Sequence, residues 1–341
     1  MTATTIGPHE PGPELIWQLQ FSFAASRVLT AAVQLGVFDA LARGRDSAEA
    51  VATDLGTSPR GTRMLLDALV AFGLVAKPEG RYALSPLARC YLVRDSADYV
   101  GGILETDAIY QNWAGLVSAV RTGRPVQRVE QKEKAEAFFP VLVRGLHVMA
   151  REPARRMAEA LGAGTRARGL QVLDVACGSG IWGIAVAEAD AAARITGQDF
   201  PGVLETTKQY YEKHGVAARC DFLPGDLRTV DLGSARYDLA LLGNIVHSEG
   251  EVASRALFHR IFRALRPGGR IVILDMIPND ARSGPPFPVM FALNMLVNTA
   301  AGDTYTFAEY RAWLGEAGFA GLEAIDIGSH SPMILGVKSG V

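Results

Sequence analysis

At 341 residues the chain has room for about two domains of roughly 150 residues each, and with 49% apolar residues it reads as a globular protein. A formal net charge of −2 gives it no electrostatic case for nucleic acid or an anionic membrane as partner. No apolar run reaches the about 18 residues of a membrane span, the opening Met1–Pro13 has no signal-peptide core, and Cys90, Cys177 and Cys220 lack metal spacing, so a cytoplasmic protein with free thiols is expected.

The first elements are helical. The pattern predicts a long helix over 15–34, a short one over 48–55 after Ser47, and a third to about Phe72 that Ser58-Pro59 caps and opens. Leu74 to Leu84 then reads as two short strands around Pro78-Glu-Gly80, so residues 14–100 form an all-α, winged-helix-like domain. Its would-be recognition helix offers Arg60 and Arg63 but is otherwise apolar at Met64, Leu65, Leu66, Leu69 and Val70, a face suited to protein contact and not to DNA.

Residues 101–165 read as a helical connector carrying Trp113, Phe138, Phe139, His147 and Met149. From Leu170 the pattern alternates. Strands fit 170–175, 194–199, 219–223, 237–243, 270–276, 322–327 and 332–338. Helices fit 181–189, 201–214, 251–265, 287–298 and 307–317, the last opened by the capping box Thr306-Phe-Ala-Glu309. This predicts an α/β, Rossmann-like seven-stranded sheet over 166–341, mostly parallel. Gly328 to Pro332 leaves no room for a helix, so the last two strands form an antiparallel hairpin.

The chemistry concentrates after the first of these strands, in Val172-Leu-Asp-Val-Ala-Cys-Gly-Ser-Gly180, with Asp199 at the end of the next strand about 20 residues on. A glycine turn, a helix start and an acid able to hold ribose hydroxyls suit a nucleoside-bearing cofactor. Gly178-Ser-Gly180-Ile-Trp-Gly183 also matches a dinucleotide loop, which keeps a nicotinamide dehydrogenase open. Asp174, and Asp226 with Leu227 after the third strand, pull toward S-adenosylmethionine (SAM): one acid for its amino acid end, the other for its adenine amino group, and Leu227 for the ring face.

These motifs, with Asn244-Ile-Val-His247, Pro267-Gly-Gly-Arg270 and Ala317-Gly-Phe319, resemble the class I SAM-dependent small-molecule O-methyltransferases of plants and bacteria, over about residues 15–338. The resemblance implies a homodimer through the N-terminal domain. It implies a connector lining the substrate pocket, and SAM bound by Asp174, Ala176, Gly178, Gly180, Asp199, Asp226, Leu227, Gly243 and Asn244, leaving as S-adenosylhomocysteine (SAH). It places a general base at His247, oriented by Asp275, and needs no metal.

The chain departs from that family at several points. Ser248 and Glu249 follow the histidine where an acid and a tryptophan are usual. Thr304 stands for a second orienting acid, Gly243 for a lysine, and no tryptophan is placed to cover adenine. A weaker base favours an acidic nucleophile, so a C-, N- or S-methyltransferase, or a SAM-binding enzyme that does not methylate, stays open. The helical stripe Met290, Phe291, Asn294, Met295, Asn298 carries two asparagines that a plain core does not explain. An aromatic or polyketide-like small molecule meeting Phe139, Leu142, Met149, Phe291, Asn294 and Asn298 is the expected substrate.

Overall fold

The structure, a computed structural model, describes residues 12–126 and 132–339, the side chains of residues 132–141 excepted. The chain divides into two compact units, one to Ile109 and one from Tyr110.

The first unit is built on helices Glu14–Leu35, Val37–Ala42, Ala48–Leu55, Pro59–Ala71 and Pro86–Tyr91. Ser47 and Ser58 cap the third and fourth: their side chains accept from the N–H groups of Ala50 and Gly61, and Pro59 takes the first helical position. Strands β1 (Val75–Ala76) and β2 (Ala83–Leu84) pair antiparallel as the expected wing. The apolar face of Pro59–Ala71 is not a free docking face. Leu66 and Leu69 are wholly buried in the unit's own core with Phe38, Val51 and Tyr82, and only Met64 stays well exposed. Exposed apolar residues gather instead on Glu14–Leu35, where Ile16, Trp17, Leu19 and Phe21 are each more than 65% exposed.

The second unit begins with helices Ala108–Ala114, Leu116–Thr122 and Lys132–Ala160, the first of which starts just before the division. Its sheet contains β3 (Gln171–Val175), β4 (Arg194–Asp199), β5 (Cys220–Pro224), β6 (Tyr237–Gly243), β7 (Leu265–Leu274), β8 (Phe319–Ile325) and β9 (Met333–Lys338). The order is β5-β4-β3-β6-β7-β9-β8, parallel through β7. The terminal hairpin forms as expected, but β9 inserts between β7 and β8 and pairs antiparallel with both. Val172, Leu173 and Val175 are fully buried because β3 is central, with helices covering both faces.

The chain leaves β3 outward through β4 and β5, then returns to β6 on β3's other side. That reversal opens a crevice beyond the carboxyl ends of β3 and β6, where sheets of this kind take ligands. Asp174, Ala176, Asp199, Gly243, Asn244, His247 and Asp275 all lie at or just past that edge. Among the described residues, no helix is long and apolar enough to cross a membrane.

Candidate active site

The glycine loop follows β3 directly. Gly178 and Gly180 have φ of 56° and 73°, and Ala176 holds φ of 49°, a strained value for a residue with a Cβ. The structure assigns these small residues a packing role that spacing does not disclose. A Cβ on Gly180 would lie 2.4 Å from the Tyr211 ring, and one on Gly183 would lie 2.9 Å from an Asp174 oxygen. Gly243 is the most crowded: its Cβ would fall 1.9 Å from the indole nitrogen of Trp182, which is 6% exposed. At this position, where the resemblance would put a lysine, Trp182 occupies the space that a side chain would need.

Three acids stand at or just beyond the carboxyl ends of β3, β4 and β5. Asp174 is wholly buried; its Oδ2 accepts from Gly183 N–H at 2.9 Å, and its Oδ1 has no partner. Burial pushes its carboxyl up to about 8, against the pull of Gly183, with the nearby Asp199 charge adding to the rise. Asp199 accepts from Gly178 N–H at 2.9 Å and from Phe200 N–H at 2.7 Å; burial raises it to about 6 despite both. Asp226 is exposed beyond β5, with its Oδ1 accepting from Arg228 N–H, while the adjacent Leu227 is buried. Asn244 follows β6 at φ 57°, its N–H donating to Leu274 O.

These residues fit a nucleoside cofactor. An unpartnered buried oxygen stands beside the glycine turn, and the Asp199 oxygens each take only one N–H, which leaves lone pairs for hydroxyls.

On the other side of the crevice, His247 sits in a one-turn helix, Val246–Glu249. Its Nδ1 lies 2.5 Å from Asp275 Oδ1, and its backbone N–H donates to Asp275 Oδ2 at 3.0 Å. Met276 N–H donates to Oδ1 and the Tyr310 hydroxyl to Oδ2. Burial opposes charge on Asp275, but the His247 charge and hydrogen bond, with the backbone N–H groups, outweigh it and hold the carboxyl below its ordinary value. An ionised Asp275 accepts a hydrogen bond from Nδ1–H, which keeps the proton on Nδ1 and leaves Nε2 with the lone pair of a base. Phe291 meets the imidazole edge to face, with centroids 5.0 Å apart.

The departures from the expected pattern resolve individually. Ser248 donates its hydroxyl to Ile245 O at 2.8 Å, and Glu249 pairs with Arg228 at 2.9 Å, tying the His247 helix to the Asp226 loop. Thr304 is 1% exposed with an unpartnered Oγ1. Asp303 turns away to Arg282 at 3.8 Å, while its N–H holds the His247 carbonyl at 2.9 Å.

The expected substrate residues do not behave as one set. Phe291, Asn294 and Asn298 share helix Pro286–Asn298. Asn298 accepts from Asn112 at 2.6 Å, and Asn294 accepts from the Trp113 indole at 3.1 Å. Leu142 is half-buried, Met149 is 65% exposed, and the Phe139 side chain lies outside the described residues. His147, expected near the pocket, is instead 1% exposed and bonded to Ser179 and His214. Tyr310, Trp182, Asn112 and the Arg228–Glu249 pair carry no sequence signal of a site: each meets its partner only through the tertiary fold.

Comparison with known proteins matches residues 17–94 to an O-methyltransferase dimerisation domain and residues 154–320 to an O-methyltransferase domain. The chain is 31% identical to the 3-hydroxy-5-methyl-1-naphthoate 3-O-methyltransferase of Streptomyces sahachiroi, covering 98% of this chain and 96% of that one. It is also 31% identical to the tetracenomycin polyketide synthesis 8-O-methyl transferase of Streptomyces glaucescens, over 97% and 98% of the two chains. The solved structure of human N-acetylserotonin methyltransferase in complex with SAM superposes with a TM-score of 0.83 at 26% identity, covering 98% of this chain and 100% of that one.

Proposed function

The chain belongs to the O-methyltransferase family, and on that premise we propose that it moves the methyl group of SAM to a hydroxyl of a small aromatic, polyketide-like molecule, with His247 as base. The observation that carries this reading is the His247–Asp275 pair at 2.5 Å, with Phe291 standing over the imidazole. SAM supplies an electrophilic methyl on a sulfonium and leaves as SAH. The residues of the chain do the rest.

Asp174, Gly178, Gly180, Asp199, Asp226 and Leu227, with Ala176, Gly243 and Asn244, form the cofactor cradle. His247 Nε2 takes the hydroxyl proton as the oxygen attacks, and the imidazolium is stabilised through Nδ1 by the ionised Asp275; such base catalysis contributes about 10²–10⁴-fold. Holding the acceptor in line with the methyl contributes more, through orientation. One carboxylate behind the histidine, with Thr304 where a second acid was expected, suits an acidic hydroxyl such as a phenol. The naphthoate and tetracenomycin activities of the relatives, and the asparagines on the Phe291 helix, support an aromatic acceptor with additional polar groups. The exposed apolar residues of Glu14–Leu35 support a homodimer through the first unit.

The test is turnover with methyl-labelled SAM across hydroxynaphthoates and polycyclic phenols, with products read by mass spectrometry and NMR. Label on a phenolic oxygen upholds the proposal. Label on carbon or nitrogen moves the enzyme to another acceptor class, and product formed while the SAM methyl is retained marks a SAM-binding enzyme that does not methylate.

A further inference from the structure

The glycine loop is gripped from outside by side chains that take no part in the acid–base chemistry. Ser179, between Gly178 and Gly180, is 5% exposed, and its Oγ lies 3.0 Å from His147 Nδ1. The His147 ring stacks on Tyr210, with centroids 3.9 Å apart and planes at 23°. Its Nε2 lies 3.3 Å from the Nε2 of His214, whose Nδ1 lies 2.8 Å from Glu188. The chain Ser179–His147–His214–Glu188 thus joins the loop to helices Lys132–Ala160, Ile181–Ala189 and Pro201–Lys213, the last of which His214 ends.

With both rings neutral, the end that cannot donate sets the direction of every bond. An ionised Glu188 only accepts, so His214 carries its proton on Nδ1 and accepts at Nε2 from His147 Nε2–H. His147 Nδ1 is then an acceptor, and the Ser179 hydroxyl donates to it. The loop is pinned on two further sides: Gly178 N–H donates to Asp199, and the Thr207 hydroxyl donates to Gly178 O at 2.6 Å. A turn with two glycines at positive φ has many unfolded alternatives, and fixing it before ligand arrives removes that ordering cost from binding.

We propose that His147 is a positioning residue for the cofactor: through Ser179 it holds the Gly178–Gly180 turn in the form that receives SAM, and it leaves the Ser179 oxygen as an acceptor. The proposal rests on this loop being the SAM site. Removing the clamp acts on cofactor binding and not on the His247–Asp275 chemistry.

The experiment is calorimetric titration with SAH of the full chain, of Ser179→Ala, of His147→Phe and of the double variant. His147→Phe keeps a ring against Tyr210 and removes both nitrogens. Each single change is expected to weaken SAH by about tenfold, the scale of reordering a short loop on binding, and the double variant no further, because both break one connection. His147→Gln, with one acceptor and one donor, recovers much of the loss, and steady-state kinetics place the effect in KM for SAM and not in kcat. Unchanged SAH affinity in the singles, or losses that multiply in the double, overturns the clamp. Should His147→Phe not fold, an unchanged Ser179→Ala overturns it alone. A wild-type chain that fails to bind SAH overturns the cofactor-site reading instead.

Discussion

Asp174 and Asp275 are both shut from solvent at the carboxyl edge of one sheet, yet burial drives one carboxyl up to about 8 while the other sits below its ordinary value. The difference lies in their partners. Asp174 has a single donor, Gly183 N–H, and an oxygen with none. Asp275 gathers His247 Nδ1, two backbone N–H groups and the Tyr310 hydroxyl. Desolvation penalises both charges, and only the second site supplies enough donors to override it. The carboxyl beside the glycine turn thus keeps one oxygen without a donor, whereas both oxygens of the carboxyl beside His247 are engaged.

That contrast is testable, from the largest expected effect to the smallest. His247→Ala removes the base: kcat falls by about 10²–10⁴-fold while SAH affinity stays within a few-fold. Wild-type turnover in this variant would end the assigned role. Asp275→Asn keeps the shape but removes the charge that holds the Nδ1–H tautomer, so kcat falls on the same scale, up to about 10⁴-fold, again with SAH affinity retained. Rate and affinity falling together would mean that the two sides are not separate.

Asp199→Ala weakens SAH by about 1–3 kcal/mol in a calorimetric titration, through lost bonds to the ribose. In the wild type, SAH affinity falls as pH drops through about 6, because the protonated Asp199 carboxyl has given up an acceptor; a flat profile from pH 7.5 down to about 5 would contradict the raised value. Asp174 gives a stability signature. The folded chain keeps a proton up to about 8 that the unfolded chain loses near 3.8, so stability declines with rising pH between those values. Asp174→Asn therefore gains on the wild type in thermal melts as pH rises through that window, by at most about 1.4 kcal/mol per pH unit. An equal difference at all pH values would show that Asp174 does not titrate there. Tyr310→Phe is the mildest: losing one of Asp275's donors costs about 0.5–1.5 kcal/mol of stability, and kcat changes by less than about tenfold. A collapse of kcat would make Tyr310 far more than one donor among several.

Much of this was legible in the sequence. The alternation after Leu170 predicts each strand's place, and the bounds agree to within about three residues except for β7, which starts at Leu265 and not at 270, because pairing with β6 begins there, ahead of the Pro267-Gly-Gly269 segment. Thr306 and Glu309 marked a helix start because a capping box is a local bond pattern, and both of its bonds form. His247 and Asp275 stand where the family resemblance places a histidine past strand four and an orienting carboxylate at the end of strand five, and the fold brings them to 2.5 Å. In the helix after Ser58, Leu66 and Leu69 turn into the unit's own core, because composition does not say which neighbour an apolar stripe meets.

The sequence by itself determined what depends on local periodicity, caps and turns: a helical N-terminal domain, a Rossmann-like sheet, a glycine turn with acids at successive strand ends, and a histidine past the fourth strand of the sheet. Only the tertiary structure decided what depends on contacts between residues far apart in the chain. It set β9 between β7 and β8, placed Trp182 in the space above Gly243, brought Tyr310 to Asp275, and linked Ser179 through His147 and His214 to Glu188. The physical reason is that a carboxyl's ionisation and a loop's rigidity are set by how many donors and packed atoms surround them, and those neighbours are assembled only when the sheet closes.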